Sequence, residues 1–310
     1  MLNQPADILE QFPVRKSKHQ KQAFRDAAVS FGEKLDYPVA IEASTFGCQN
    51  VIFGNPETAK YLVTAHYDTP PRLPFPNFAT PCNGFRSLVR RIGRIAAMVL
   101  MAAVVIGVVT ALTKTDFLIP YLSFFAVVLA EGLMLCGPAN PHNANDNTSG
   151  VITLMEIMKT MPQNQRHKVC FVLFDMEEQG LIGSGAYRKA HKAATEKQLV
   201  LNLDCVGDGD HIRFFPTKKL RKDRKKCTSL YKACGYFGEK EILVHEKGYY
   251  TYASDQRRFP YGVGICALNQ RKKLLYLDRI HTPKDTVLDM NNVNILRAAL
   301  TSFICCGEVN

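Results

Sequence analysis

No two of the ten cysteines form a C-x-x-C pair, and the chain has neither a repeat of fixed period nor a long low-complexity tract. Several cysteines, such as Cys170 in KVCFVLF and Cys266 in GICAL, lie inside apolar runs. This placement is typical of small buried thiols rather than of a disulfide framework, and it favours a reducing compartment. The opening residues, MLNQPADILEQF, lack the apolar segment of a signal peptide, so we expect no secretion signal.

The composition is that of a globular protein with an excess of positive charge. Its 310 residues, 46% hydrophobic and 22% charged, suit one large domain or two small ones. The net charge of +11 indicates an acidic partner, either nucleic acid or an anionic membrane surface. Residues 218–226, KKLRKDRKK, concentrate seven cations, which fits a solvated surface or contact with anionic lipid. Because no zinc-finger or aromatic-interleaved pattern is present, we do not expect a nucleic-acid partner.

Apolar runs that are typical of strands alternate with segments that are typical of helices. The predicted strands lie in PVAIEAS, NVIFG, KYLVTAHYDT, KVCFVLFDM, LVLNLDCVG, HIRFF, EILVHEK and GICALN. The predicted helices cover residues 15–34, 148–162, 180–193 and 291–306. Near-continuous apolar strands between helices predict an α/β fold, with a mixed, mostly parallel central sheet flanked by helices.

The stretch between residues 70 and 142 departs from that pattern. A proline-rich segment leads into about 19 residues without a charge, and a short polar break separates these from about 20 more apolar residues. A spanning helix needs about 20 apolar residues. We therefore predict an inserted transmembrane hairpin with spans at about 95–113 and 117–136. A buried helical hairpin or an apolar lid is the alternative interpretation.

The hairpin divides the predicted catalytic domain and sets its expected location. Residues 1–69 and 137–310 form the expected discontinuous domain, and residues 70–136 form the inserted linker and hairpin. Four arginines precede the first span, at positions 86, 90, 91 and 94, whereas only Lys114 lies in the far turn. Because basic residues near span ends stay cytoplasmic, we expect a multi-pass protein of the cell membrane whose catalytic domain faces the cytoplasm. The lipid bilayer would then be a partner of residues 95–136.

Acids and histidines stand at the ends of several predicted strands. They are His66, Asp68, Glu177, Glu178, Asp204 and His281. In open α/β sheets, ligands collect outside the carboxyl ends of the strands. Asp146, in the polar octet NANDNTSG before a predicted helix, can join this group. Taken alone, that octet equally fits a helix N-cap.

Such a set of side chains suits two divalent metals. A pair of metals about 3.5–4 Å apart needs imidazole and carboxylate ligands and one bridging carboxylate. Asp146 is well placed to bridge, because its loop lies between His66 and Glu178 in the sequence. Asp68 lies two residues after His66 on the same strand, so it can orient the imidazole. Of two adjacent glutamates, one can bind metal while the other serves as a general base.

The ordered motifs resemble the M28 family of zinc peptidases, of the aminopeptidase Y and bacterial leucyl aminopeptidase type. They are AHYDT, NDNTSG, DMEEQGLIGS, NLDCVGDGD, SDQRRFPYGVGICAL and HTPKDT, and they extend from about residue 35 to the end apart from the insert. The resemblance implies a two-zinc aminopeptidase that cuts N-terminal residues from peptides. It implies that one zinc is held by His66, Asp146 and Asp204, and the other by Asp146, Glu178 and His281.

The same resemblance implies roles for residues that do not bind metal, and it has departures. Glu177 would be the general base, Asp68 the orienting acid, and the peptide bond after Asp146 would be cis. Gln256, in SDQRRF, stands where the family often has histidine, which leaves the substrate preference open. Arg257 and the arginine after it could hold a substrate carboxylate, although surface charge is the interpretation that we favour.

Two other functions remain open at this point. A glutaminyl-cyclase-like acyltransferase shares the fold implied by the resemblance, but those relatives use one zinc and do not need the full ligand set. A catalytically inactive membrane scaffold is the third reading. Lost ligands would favour the scaffold, and every predicted ligand is present in this sequence.

Overall fold

The computed structural model describes residues 2–73, 77–113, 137–246 and 252–306, together with single positions at 121, 124, 125, 128 and 132. The described strands form one ten-stranded sheet. They are β1 (Val39–Ala43), β2 (Gln49–Phe53), β3 (Tyr61–His66), β4 (Val169–Phe174), β5 (Leu199–Leu203), β6 (His211–Pro216), β7 (Gly235–Phe237), β8 (Lys240–Val244), β9 (Gly262–Arg271) and β10 (Leu274–Tyr276).

The sheet is mixed and its centre is parallel. The strand order is β1-β2-β4-β3-β5-β9-β6-β8-β7, with β10 paired to β9. Strands β4, β3, β5 and β9 run parallel to their neighbours within this central group. Antiparallel pairs flank them, at β2–β4 on one side and β6–β9 on the other. The predicted mixed α/β fold with a mostly parallel centre is confirmed.

Helices cover both faces of the sheet, which is why the central strands are apolar along their whole length. The helices are α1 (Ile8–Gln11), α2 (Lys18–Lys34), α3 (Gly84–Thr113), α4 (Gly150–Thr160), α5 (Ile182–Ala190), α6 (Lys192–Thr195), α7 (Lys218–Lys222), α8 (Arg224–Ser229) and α9 (Met290–Cys306). Phe24, Leu154 and Leu296 are buried in the core on one face, and Tyr187 and Phe259 are buried on the other.

The N-terminal segment is fastened to the sheet by Arg15, which lies before α2 and is fully buried. Its Nε donates to the carbonyl of Tyr67 at 2.6 Å, and one terminal nitrogen donates to Thr148 Oγ1 at 2.9 Å. A capping box at Ser17 then begins α2. Arg15 therefore joins the end of β3 to the loop that precedes α4, and both segments carry predicted site residues.

The predicted membrane hairpin is not supported. The first predicted span belongs to α3, which is 30 residues long and takes the arginine cluster at 86–94 into its N-terminal part. In the part of the chain that the structure describes, no helix combines the length and the apolar character that crossing a bilayer requires. The predictions of a multi-pass membrane protein, of a cytoplasm-facing catalytic domain and of a bilayer partner are therefore wrong.

Residues 95–113 do lie in one continuous helix, but that helix begins at Gly84 and includes the arginine cluster, so the predicted start of the span is not a helix boundary. The second predicted span, 117–136, and the predicted turn at 114–116 lie almost wholly outside the described residues. The described segment at 77–83 leads from the sheet into α3, and Ala79 pairs with Leu277 in an isolated antiparallel bridge. The start of the insert is thus attached to the body of the fold.

Candidate metal centre

Three neighbouring parallel strands end at one edge of the sheet and bring the first site residues together. His66, the last residue of β3, is in register with Phe174, the last residue of β4. Asn202 of β5 is in register with Thr64 of β3, so β5 reaches the same edge and Asp204 follows it directly. The loop after β4 carries Glu177 and Glu178. Parallel pairing therefore places one imidazole and three carboxylates at a single sheet edge.

Asp146 reaches the same edge from a loop in front of α4. The loop, Ala144–Ser149, is buried throughout. Asp285 accepts hydrogen bonds from the backbone N–H groups of Asn145 at 2.8 Å and Asp146 at 3.1 Å. The side chain of Asn147 donates to the carbonyl of Leu203, at the end of β5, at 2.9 Å. The peptide bond between Asp146 and Asn147 is cis, as the family resemblance implied.

The two histidines face opposite oxygens of the Asp146 carboxylate. His66 Nε2 lies 3.4 Å from Asp146 Oδ1, and His281 Nε2 lies 3.2 Å from Asp146 Oδ2. His66 Nε2 is also 3.9 Å from Asp204 Oδ1, while His281 Nε2 is 3.6 Å from Glu178 Oε2. Ligand atoms of His66, Asp146 and Asp204 all lie within 4.8 Å of one another, and so do those of Asp146, Glu178 and His281. The two sets share one residue.

Because the members of this cluster are buried or half-buried, each one strongly shifts the pKa values of the others. Burial alone would lower the pKa of His66, but the neighbouring carboxylates of Asp146, Asp204 and Asp68 hold it well above its usual value. Burial likewise opposes protonation of His281, while the charges of Glu178 and Asp146 raise its pKa to about 9. Burial works to raise the pKa of Asp146, and the two histidines outweigh it and lower that pKa.

Asp68 holds the loop that carries the paired glutamates. Its two oxygens accept the backbone N–H groups of Glu177 at 3.0 Å and Glu178 at 3.2 Å. Asp68 Oδ1 also lies 3.4 Å from His66 Nδ1, which is longer than an ordinary N–H···O bond. The predicted orienting acid therefore contacts the glutamate loop more closely than it contacts the imidazole.

Both glutamates favour their protonated forms. Burial raises the pKa of Glu177 well above its usual value, and the charges of Glu178 and Asp255 add to this against the opposing effect of His66. Burial, with the charge of Asp146, raises the pKa of Glu178 to about 8 despite His281. A carboxylic acid whose pKa is raised in a cleft has the property that a general acid or base needs near neutral pH.

These residues fit a pair of divalent metals. Nitrogen and oxygen donors of this kind are the usual zinc ligands, and each set supplies three of them, which leaves a position for water or substrate. Buried carboxylates repel one another unless a cation or proton intervenes, and this repulsion adds to the effect of burial in raising the pKa values of Glu177 and Glu178. Divalent cations would take the place of the protons that these groups otherwise hold.

Backbone strain accompanies the predicted ligands. Met176, directly before Glu177, has φ of 56°, and Cys205, directly after Asp204, has φ of 55°. His281 itself has φ of 60°. A residue other than glycine costs of order 1–3 kcal/mol in this left-handed region and persists there only where the surrounding structure enforces it. Strain of this kind clusters at functional sites, and here it falls at three of the ligand-bearing segments.

Sequence reasoning missed three residues of the site. Asp285 lies in the motif HTPKDT, but nothing in the sequence indicated that it binds the Asp146 loop. Asp255 is fully buried, burial raises its pKa to about 7, and within the described part of the chain neither oxygen has a hydrogen-bond partner. Tyr252 donates its hydroxyl proton to the carbonyl of Asp204 at 2.7 Å. The position of Asp255 in the motif SDQRRF could have marked it as a site residue. No feature of the sequence marked Tyr252.

Gln256, which stands where the resembling family often has histidine, connects two segments of the site. Gln256 is buried, accepts a hydrogen bond from Asn202 at 3.3 Å and donates to the carbonyl of Tyr252 at 3.0 Å. It therefore connects β5 to the segment that carries Tyr252. A cavity of about 270 Å³ lies over the predicted ligands, and Ala79 and Pro81 of the insert line it together with Tyr252. The start of the insert thus forms part of the wall of the site.

Comparison with known proteins matches the chain to one peptidase family and to several solved structures. The model of peptidase family M28 matches residues 130–303, which is more than half of the chain. No curated protein matches this chain. Among solved structures, a leucine aminopeptidase precursor from Bacteroides thetaiotaomicron is similar, with a TM-score of 0.60 and 15% identity over 98% of this chain and 95% of that one.

Two further structures are similar to the same degree. A Zn-dependent exopeptidase from Parabacteroides distasonis has a TM-score of 0.57 and 16% identity, covering 97% of this chain and 94% of its own. A Bacteroides thetaiotaomicron glutaminyl cyclase bound to N-acetylhistamine has a TM-score of 0.62 and 16% identity. The match covers 98% of this chain and 96% of that one. At such identities the likeness shows the fold, which peptidases and cyclases share.

Proposed function

The chain belongs to peptidase family M28, and from that premise we propose that it is a two-zinc metallopeptidase of the aminopeptidase type. It would hydrolyse the bond that follows the N-terminal residue of a peptide. The observation that carries the proposal is that each oxygen of the Asp146 carboxylate faces a different histidine. Oδ1 lies 3.4 Å from His66 Nε2, and Oδ2 lies 3.2 Å from His281 Nε2. A carboxylate that faces two ligand sets is what a pair of divalent metals requires as its bridge.

The two proposed metal positions correspond to two of the three groups of possible ligands that lie close together. One zinc would be held by His66, Asp146 and Asp204, and the other by Asp146, Glu178 and His281. When bound, the zinc ions supply Lewis-acid polarisation of the scissile carbonyl and of a water molecule. Together with the shared Asp146, His66 and Asp204 make a second set of three donors. A single metal would need only one such set.

Glu177 would move the proton. Burial raises the pKa of this carboxyl well above its usual value, so it can hold a proton near neutral pH and also release one. As a base it takes a proton from the attacking water, and as an acid it returns that proton to the amine that leaves. The carbonyl carbon gains a C–O bond, the C–N bond breaks, and the products are a carboxylate and a free amine.

The backbone around Glu177 supports this role. Asp68 fixes the loop through two consecutive amides, so Glu177 and Glu178 are held in one orientation. Glu178 lies on the side of His281, at 3.6 Å, which favours Glu178 as the metal ligand. Glu177 is left as the carboxyl that can face water. The position of Glu178 beside His281 thus supports the proposed roles, with Glu178 as the ligand and Glu177 as the base.

Metal analysis combined with a small substrate panel tests the proposal. Purified protein should carry close to two zinc ions per chain, or two cobalt or manganese ions when grown with them. It should cleave Leu-Gly-NH2, and acetylation of the amino group should abolish cleavage, because an aminopeptidase pairs the substrate ammonium with an acid or metal. Equal cleavage of the acetylated peptide would mean an endopeptidase or deacylase.

The panel also separates the glutaminyl-cyclase alternative, which is kept because a cyclase shares this fold. A Gln-Gly-NH2 substrate should be hydrolysed to glutamine and glycinamide. A cyclised product that retains the peptide bond, together with a single bound metal, would instead establish the acyltransferase. Two bound metals with no turnover of any member of the panel would favour an inactive scaffold.

A further inference from the structure

A second cavity adjoins the metal centre, and we call it the cationic cavity. It has a volume of about 400 Å³ and lies between the end of β6, α7 and the segment at 256–260. The charged side chains that line it are all positive: Lys218, Lys219, Arg221 and Arg257. In the described part of the chain, no carboxylate lines it. Anions are therefore the ligands that its electrostatic field favours.

The four cations are not equally available to a ligand. Lys219 forms an ion pair with Glu196 at 3.1 Å, and Arg221 donates to the carbonyl of Glu246 at 3.3 Å. Lys218 and Arg257 are exposed, and neither side chain has an ion pair or a hydrogen bond with the other described residues. Two exposed positive charges of the cavity lining thus lack a counter-ion among the described residues.

Tyr252 separates this cavity from the metal centre. It lines both cavities, and its hydroxyl donates to the carbonyl of Asp204, one of the predicted ligands, at 2.7 Å. Its ring stacks on Phe215, with centroids 5.3 Å apart and planes at 22°. The carbonyl of Tyr252 accepts a hydrogen bond from Gln256 at 3.0 Å. One well-held aromatic side chain therefore sets the spacing between the predicted metals and the cations.

The metal-site cavity is too small for a whole peptide. Its volume of about 270 Å³ lies below the range of roughly 300–1,000 Å³ that is usual for ligand pockets. It can take one residue, so the remainder of a bound peptide must continue outside it. Tyr252 lines the metal-site cavity on the side of the cations, and the exposed Ala253 follows it in the same lining. A chain that leaves there passes the cationic cavity.

We infer that the cationic cavity is a subsite for an anionic group just after the scissile bond of the substrate. Peptides with glutamate or aspartate at that position would be preferred over their neutral isosteres. The inference rests on the proposed function, because the leaving side is defined by the cut. Exposed charge pairs are individually weak and are screened by salt. Two cations should therefore give a preference of about three- to tenfold, which falls as ionic strength rises.

The test compares Leu-Glu-NH2 with Leu-Gln-NH2, which differ only in the charge of one side chain. We expect kcat/KM to be about three- to tenfold higher for the glutamate peptide at low salt. In the double variant Lys218→Gln/Arg257→Gln the ratio should fall to about one. Lys222→Gln is the matched control, since Lys222 is an exposed cation of the same helix outside the cavity lining, and it should keep the wild-type ratio.

Binding separates failure of this inference from failure of the proposed function. Calorimetry on the zinc-loaded Glu177→Gln protein should show tighter binding of Leu-Glu-NH2 than of Leu-Gln-NH2. If neither peptide is hydrolysed by wild type but that difference persists, the proposed function fails and the anionic subsite stands. Equal binding and equal kcat/KM for the two peptides, or a preference that survives in the double variant, overturns the subsite.

Discussion

Two carboxylates hold the loops that carry the acidic ligands, and they do so with the same geometry. Asp68 accepts the backbone N–H groups of residues 177 and 178, at 3.0 and 3.2 Å. Asp285 accepts those of residues 145 and 146, at 2.8 and 3.1 Å. In each case two oxygens of one side chain bind two consecutive amides. Such bidentate bonding fixes the orientation of a loop as well as its position.

The charges of the two carboxylates differ. Burial works to raise the pKa of Asp68, but the adjacent imidazole of His66 and the charge of Lys21 hold it below its usual value. Burial and the charge of Asp146 raise the pKa of Asp285 to about 7, and its two backbone bonds offset this only in part. Hydrogen bonds to charged groups contribute about 1.5–3 kcal/mol and neutral ones about 0.5–1.5. The same geometry should therefore hold the glutamate loop more firmly than the Asp146 loop.

The largest effect is expected from the residue that both metal positions share. Asp146→Asn removes the negative charge that would bridge the two ligand sets, so both metals should be lost together and activity with them. Metal content measured by mass spectrometry after dialysis is the readout. Asp26→Asn, at an exposed acid of α2, is the control and should keep both metals. Full metal content in Asp146→Asn would exclude the bridging role.

The paired glutamates should then separate chemistry from metal binding. Glu177→Gln should keep close to two metals and lose roughly 10²–10⁴ in kcat, the usual contribution of a general acid–base group. Glu178→Gln should instead lose metal from the site that includes His281. Turnover and metal content are measured on the same preparations. The reverse pattern would mean that the two glutamates have exchanged roles.

Breaking the glutamate loop's support should cost less than removing either glutamate. Asp68→Asn leaves one oxygen to accept a backbone bond and removes the charge beside His66. A lost supporting group of this kind typically costs about 10–100-fold in activity or metal affinity. Because the loop carries both the base and a ligand, kcat should fall more than metal content does. Recovery of kcat in Asp68→Glu, with metal content unchanged, would support an electrostatic and positioning role.

The sequence predicted most of the described strands, and the structure brings the predicted site residues together because most of them lie near strand ends. Alternating apolar runs predicted the sheet, and parallel strands necessarily end at one edge. His66 and Asp204 follow from that rule alone. Asp68 was identifiable as well, since it lies two residues after His66, although β3 itself ends at His66. Its stronger contact, to the backbone of the glutamate loop, required the three-dimensional structure.

Other features could not be predicted, for two physical reasons. Asp285, Asp255 and Tyr252 reach the site through contacts between segments far apart in the chain, and no local pattern encodes such a contact. The membrane hairpin was wrong for a different reason. The apolar letters at residues 95–113 are helical, but they belong to α3, and among the described residues no helix meets the requirement for crossing a bilayer. The apolar composition of residues 95–113 predicted a helix, but it could not decide whether that helix crosses a membrane.

The smallest effect should come from Asp285, and its pattern should differ from that of Asp68. Asp285→Asn keeps one acceptor oxygen and removes a carboxyl whose pKa of about 7 already lets it be protonated near neutral pH. The loss should therefore be nearer to tenfold than to a hundredfold in metal affinity. Because the loop that it holds carries the shared Asp146, both metals should weaken in parallel, with kcat per metal-loaded enzyme unchanged. Zinc titration against a competing chelator measures the two affinities. Selective weakening of one metal, or an effect larger than that of Asp68→Asn, would contradict the comparison between the two carboxylates.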